Sequence, residues 1–113
     1  LKQGKRSLDN SHLIKLGKYI LHADHATLKN QEDDTEKMLT AREAKILELL
    51  AVNKNDVVRR EAVLSRFWGV EDKDYFASRS LDVFIKKIRT AIEDEPSVEL
   101  KTIRGIGFKL IVE

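Results

Sequence analysis

From Arg79 to Ile92 the chain carries four basic residues and one acid, and from Lys101 to Lys109 three basic residues and no acid. Guanidinium and ammonium groups gathered in this way can hold phosphates by charge and read base edges by hydrogen bonding. Advancing each residue by about 100°, as an α-helix requires, puts Leu81, Ile85, Ile88 and Ile92 on one narrow stripe. Arg79, Val83, Lys86, Lys87 and Thr90 then fall on the opposite side. A helix over 79–94 with that pattern can anchor its apolar stripe in a domain and offer its basic face to a major groove, where Val83 can touch a thymine methyl. The same pattern also describes an amphipathic surface helix with solvated lysines. Asp82 flanks Arg89 and Lys86 and reads as orienting those cations, while Arg89 and Phe84 border the apolar stripe.

A hairpin follows. Val98, Leu100 and Thr102 alternate with Glu99, Lys101 and Ile103, and Phe108, Leu110 and Val112 alternate with Lys109 and Ile111. Its tip, within 103–108, is Arg104-Gly105-Ile106-Gly107, in which both glycines are expected to supply the positive φ of a tight reversal. Arg104 would project from it and can enter a narrow minor groove, with Gly105 beside it in contact; the alternative is a solvated turn arginine. The Gly-x-Gly is no nucleotide loop, since it lacks the third glycine and opens no helix.

Other chemistry finds little footing. His22 and His25 have no third ligand at organised spacing, so no metal is expected. No Ser/His/Asp set, paired-carboxylate pocket or phosphate loop is present, so neither an enzyme nor a cofactor is expected. There is no cysteine, which fits a reducing, cytoplasmic setting but is unremarkable in others, and no apolar run nears the roughly 20 residues of a membrane span. With 21 Lys+Arg against 19 Asp+Glu, the net charge of +2 is small. The acids cluster apart, at Glu71-Asp72-Asp74 and Glu93-Asp94-Glu95, which leaves a local positive surface for salt-dependent phosphate binding.

The elements that must carry these groups can be read in order. Residues 1–11 are polar and aperiodic and read as an interdomain linker, and a start at Leu1 suggests a piece of a longer protein. Residues 12–113 are expected to form a single domain. Short strands at 12–16, 19–23, 26–30 and 36–39 are broken by Gly17, Asp24-His25 and the polar run 31–34 and should form a small antiparallel sheet. Thr40 and Glu43 have the spacing of a capping box. The helix they open would bury Ala44, Leu47, Leu50 and Ala51, with Ile46 at its edge. A second helix would crowd Ala62, Val63, Leu64, Phe67 and Trp68 and stop at Gly69, with Trp68 as a core or hinge residue. Together these predict an α+β fold: a winged helix-turn-helix with an N-terminal four-stranded antiparallel sheet, three helices and a C-terminal β-hairpin wing.

From Thr40 to Val112 the chain resembles the effector domain of OmpR/PhoB-family response regulators. That family reads R-x-x-D-V-H-I-x-x-L-R and then T-V-R-G-x-G-Y; the same register here is Arg79, Asp82, Val83, Phe84, Ile85, Ile88, Arg89, then Thr102, Ile103, Arg104, Gly105, Ile106, Gly107, Phe108. Leu39-Thr40-Glu43 and Trp68-Gly69 match as well, and the four-stranded N-terminal sheet is a family hallmark. Phe84 stands where the family has histidine and Phe108 where tyrosine is common, which removes one hydrogen-bonding group beside the DNA and one hydroxyl in the wing.

The resemblance implies sequence-specific double-stranded DNA binding and transcription regulation, as the output half of a two-component system. Arg79 would bind phosphate, Lys86 and Lys87 would face the groove, Thr102 would bind backbone phosphate and Arg104 the minor groove. The loop from Val70 to Ala77, with Glu71, Asp72 and Asp74, would be the surface that can meet RNA polymerase; a solvated acidic loop is the bland alternative. A receiver domain elsewhere in the protein would carry the phosphorylated aspartate and drive dimerisation onto adjacent half-sites, and the isolated fragment would be monomeric. A one-component regulator and a winged-helix protein-interaction module remain as rival readings.

Overall fold

The computed structural model of the protein describes residues 13–69 and 74–113. Four antiparallel strands in sequential order make the N-terminal sheet: β1 (Leu13–Leu16), β2 (Tyr19–His22), β3 (Thr27–Asn30) and β4 (Glu36–Met38). Next come α1 (Ala41–Val52), β5 (Val57–Arg59), α2 (Arg60–Trp68), α3 (Tyr75–Ile92), β6 (Val98–Ile103) and β7 (Gly107–Val112). The last three strands form a second antiparallel sheet in the order β5-β7-β6. This is the expected winged helix-turn-helix with its N-terminal sheet and C-terminal hairpin.

Local chemistry explains most of these boundaries. Leu16 pairs with Tyr19, which leaves Gly17 and Lys18 as a two-residue turn with Gly17 at φ +61°. In β2 and β3 the buried Tyr19, Leu21, Leu28 and Asn30 alternate with the less buried Ile20, His22, Thr27 and Lys29, so one face of the sheet enters the core. The Thr40 hydroxyl accepts the Glu43 N–H at 3.1 Å while the Glu43 carboxylate accepts the Thr40 N–H at 2.8 Å, which completes the capping box. Gly69 closes α2 at φ +66°, its N–H donating to the Ser65 carbonyl at 3.1 Å.

Leu16, Leu21 and Leu28 of the sheet meet Leu47 and Leu50 of α1, Leu64 of α2 and Leu81 and Ile88 of α3 in one core. The hairpin adds Leu100, Phe108 and Leu110. The turn that ends α3 also seats the N-terminal sheet, because Lys18 N–H donates to Glu95 Oε2 at 2.6 Å and Lys37 Nζ donates to the Ala91 carbonyl at 2.8 Å.

The structure departs from the sequence expectations in several places. Residues 57–59 form a strand that the sequence reading does not contain, and its Val58 pairs with Phe108. Ile46 is fully buried, not at an edge, since sheet and helices cover α1 from two sides; Ala62 is exposed. Only Gly105 of the wing pair has positive φ, at +75°. Gly107 is needed for a different reason: a Cβ there would collide with the carbonyl oxygen of Val58. His12, expected in the first strand, and the segment 1–11 lie outside the described residues.

Candidate nucleic-acid interface

The helix that carries the basic face is longer at its start than expected and shorter at its end, running from Tyr75 to Ile92 rather than from 79 to 94. Asp74 is its N-cap, the carboxylate accepting the Ala77 N–H at 2.9 Å. Ala77, Leu81, Ile85, Ile88 and Ile92 are buried. Arg79, Val83, Lys86, Lys87 and Thr90 are all exposed on the other side, Val83 at 53%. A furrow of about 580 Å³ runs along that face past Tyr75, Arg79, Val83 and Lys86. A second hollow of about 600 Å³ separates Lys86, Lys87 and Thr90 from Lys37 and Met38 of β4.

Among the described residues Lys86, Lys87 and Arg104 have no carboxylate within ion-pair distance. Their charge is therefore available to an external anion. Arg79 is steered, its Nη1 donating to the Tyr75 hydroxyl at 2.9 Å with the guanidinium 5.6 Å from the ring centroid. The four-residue spacing of Tyr75 and Arg79 on one helix face is the signal that sequence reading could have used.

At the wing, Gly105 turns the chain and the Ile106 N–H donates to the Ile103 carbonyl at 2.9 Å, leaving Arg104 exposed at the tip. Thr102 is exposed and its hydroxyl accepts from Arg89 Nη2 at 2.9 Å, while Arg89 Nε donates to the Leu100 carbonyl at 3.1 Å. Arg89 thus ties the helix to the wing strand. A hydroxyl that accepts from Arg89 still has its own hydrogen to donate.

One expectation is corrected by geometry. Asp82 orients neither Lys86 nor Arg89; its Oδ1 lies 2.9 Å from Arg60 Nη2, a partner from another helix that angle counting within α3 cannot see. His22 and His25 stack with ring centroids 3.7 Å apart, and among the described residues no group of three or more His, Cys, Asp or Glu side chains is placed to hold a metal. Phe84 does turn inward as its angle suggested, half-buried with its ring 5.8 Å from that of Trp68, which itself packs against the core under the Arg42 guanidinium at 4.6 Å. Glu71 and Asp72 lie outside the described residues. Asp74 spends one carboxylate oxygen on its helix cap.

A helix-turn-helix whose last helix is basic outside and apolar inside, flanked by a β-hairpin with an arginine tip, defines a winged-helix domain. Residues 34–110 match the family described as "Transcriptional regulatory protein, C terminal". The chain belongs to that family, the DNA-binding effector domains of OmpR/PhoB-type response regulators. It is 34% identical over 109 residues to the transcriptional regulatory protein RprY of Bacteroides fragilis, covering 96% of this chain and 44% of RprY. It resembles the solved response regulator DrrB of Thermotoga maritima, an OmpR/PhoB homologue, at 33% identity and a TM-score of 0.71, over 98% of this chain and 50% of DrrB. The DNA-binding domain of CpxR from E. coli shares the fold, with a TM-score of 0.75 at 22% identity over 88% of this chain and 96% of that one. The chain spans half or less of the length of RprY and DrrB.

Proposed function

We propose that the chain binds a specific double-stranded DNA sequence and serves as the output domain of a two-component response regulator. In this reading α3 enters the major groove with Arg79 and Thr90 toward the backbone, Lys86 and Lys87 toward base edges and phosphates, and Val83 against a thymine methyl. Thr102 donates to a phosphate, and Arg104 with Gly105 enters the minor groove. The observation that carries the reading is the two-sidedness of α3: Leu81, Ile85, Ile88 and Ile92 are sunk in the core while Lys86 and Lys87, on the far side, have no acid partner among the described residues. A solvated surface helix explains the first half of that arrangement but gives no reason for Arg104 beside it at the wing tip.

A receiver domain in the longer protein would bring two copies of this domain onto adjacent half-sites on phosphorylation, the second binding event gaining from effective concentration. The isolated domain would then be monomeric, with its work in the cytoplasm. Contact with RNA polymerase falls to the region of Glu71, Asp72 and Asp74, beside which Tyr75 and Phe76 stand 62% and 82% exposed with their rings edge to face. Exposed aromatics next to acids suit a protein partner better than a solvated loop.

Enrichment of a randomised duplex library by the purified domain, followed by sequencing, tests the reading. Recovery of one motif supports it; uniform recovery at every round contradicts sequence-specific binding.

A further inference from the structure

Arg60, the first residue of α2, touches both proposed DNA-reading parts. On one side its Nη2 donates to the Ser78 carbonyl at 2.9 Å and the Ser78 hydroxyl at 2.6 Å, and lies 2.9 Å from Asp82 Oδ1, all on α3. On the other side its backbone N–H donates at 3.0 Å to the carbonyl of Ile106, in the wing turn. Its guanidinium also sits 5.7 Å from the ring centroid of Phe108 in β7.

The side chain is only 27% exposed and its charge is answered by Asp82, so Arg60 is a poor phosphate ligand and a good spacer. All three acceptors converge on Nη2, whose two hydrogens are fixed in the guanidinium plane, so the group has little rotational freedom left, whereas the ammonium of a lysine has no such plane. The backbone side of the link is equally constrained, because Arg59 pairs with Gly107 in the ladder and only a glycine lets the Val58 carbonyl approach there. Arg89 also joins α3 to the hairpin, at Leu100 and Thr102. Arg60 reaches the tip.

We infer that Arg60 is a positioning residue that holds the start of the recognition helix and the tip of the wing at a fixed mutual distance, so that major-groove and minor-groove contacts are made as one unit. This rests on the DNA-binding reading above, since it assigns Arg60 a role in how Arg104 is presented. It is distinct from a fold-stabilising role because it makes a claim about coupling: loosening the α3 side of Arg60 must be felt at the wing.

Two measurements test it. The first uses no DNA. Ser78→Ala removes a hydroxyl acceptor and Asp82→Asn removes the carboxylate charge, both on α3 only, and amide spectra of the folded variants should show the Gly105 and Ile106 resonances shifted; resonances that stay in place overturn the coupling whether or not the protein binds DNA. The second is a double-mutant cycle on the enriched duplex. Arg104→Ala should weaken binding about tenfold in the wild-type background, the scale of one lost groove contact, and only about twofold where Arg60→Lys has already loosened the α3 side of the link. A tenfold loss in both backgrounds overturns the inference, and Asp82→Asn replaces Arg60→Lys in the cycle if the latter does not melt cooperatively. Amide shifts in the α3 variants together with a wild type that binds no duplex would sink the DNA reading and keep the coupling; no shifts in the variants together with a wild type that binds DNA would do the reverse.

Discussion

The Tyr19 hydroxyl lies 2.8 and 2.9 Å from the two carboxylate oxygens of Asp94, and so joins the first hairpin to the turn that ends α3. Lys18 and Lys37 flank the same carboxylate at 3.4 and 3.5 Å, and Lys37 also caps the helix C-terminus through the Ala91 carbonyl, where a cation meets the negative end of the helix dipole. The N-terminal sheet therefore braces the far end of α3 while Arg60 braces its near end.

Asp94 makes this brace pH-dependent. The Tyr19 hydrogen bond, with help from Lys37 and Lys18 and against the opposing effect of burial, holds the Asp94 carboxyl below its ordinary value. A carboxyl depressed in the folded state contributes stability above the unfolded value of about 3.9 and loses it as pH falls through the lower folded value. Asp94→Asn should accordingly lower the melting temperature at neutral pH, with the gap to wild type closing below about pH 4. Because the side chain is half exposed, screening limits the effect to about 0.5–1 kcal/mol. Thermal melts of both proteins across pH check it, and a gap that is constant with pH would contradict it.

The two wing glycines should respond differently to alanine. At Gly105 the added methyl meets open space and only the φ of +75° costs energy, about 1 kcal/mol. At Gly107 the methyl meets the Val58 carbonyl, and β5 must move, at a cost of about 2–3 kcal/mol. Denaturant melts should rank Gly107→Ala well below Gly105→Ala; equal stabilities would mean that the β5–β7 contact is looser than described.

Thr102→Val should weaken DNA binding a few-fold and leave the salt slope unchanged, because a neutral hydroxyl displaces no counterion. Lys87→Ala should lower the slope by about one. Titrations of both variants at several salt concentrations distinguish a hydroxyl that serves phosphate from one that serves only Arg89.

Thr40→Ala removes one arm of the capping box and should cost about 1 kcal/mol of stability with duplex affinity unchanged. Calorimetry together with binding checks both halves.

Much of this fold was legible because its signals are local. The period of Leu81, Ile85, Ile88 and Ile92, the Thr40–Glu43 spacing and the turn residues between the first four strands each act within a few residues. What stayed hidden depends on distant partners. β5 is three residues long and fused directly to α2, so it has no room to show an alternation, and only β7 reveals it. A helical wheel pairs Asp82 with neighbours on its own helix because it cannot show Arg60. Gly107 looked like a turn glycine because the carbonyl that crowds it comes from residue 58. The early start of α3 was readable in principle: Asp74 sits three residues before Ala77 in N-cap register, but its place beside Glu71 and Asp72 made it look like part of an acidic loop.

The most direct test of the DNA-binding account is fluorescence anisotropy of a labelled duplex pool, titrated across a salt series with wild type and with the Lys87→Ala, Arg104→Ala double variant. The account expects steep salt dependence in the wild type that is largely lost in the double variant, whereas salt-sensitive binding unchanged by the two substitutions would place the DNA elsewhere and contradict it.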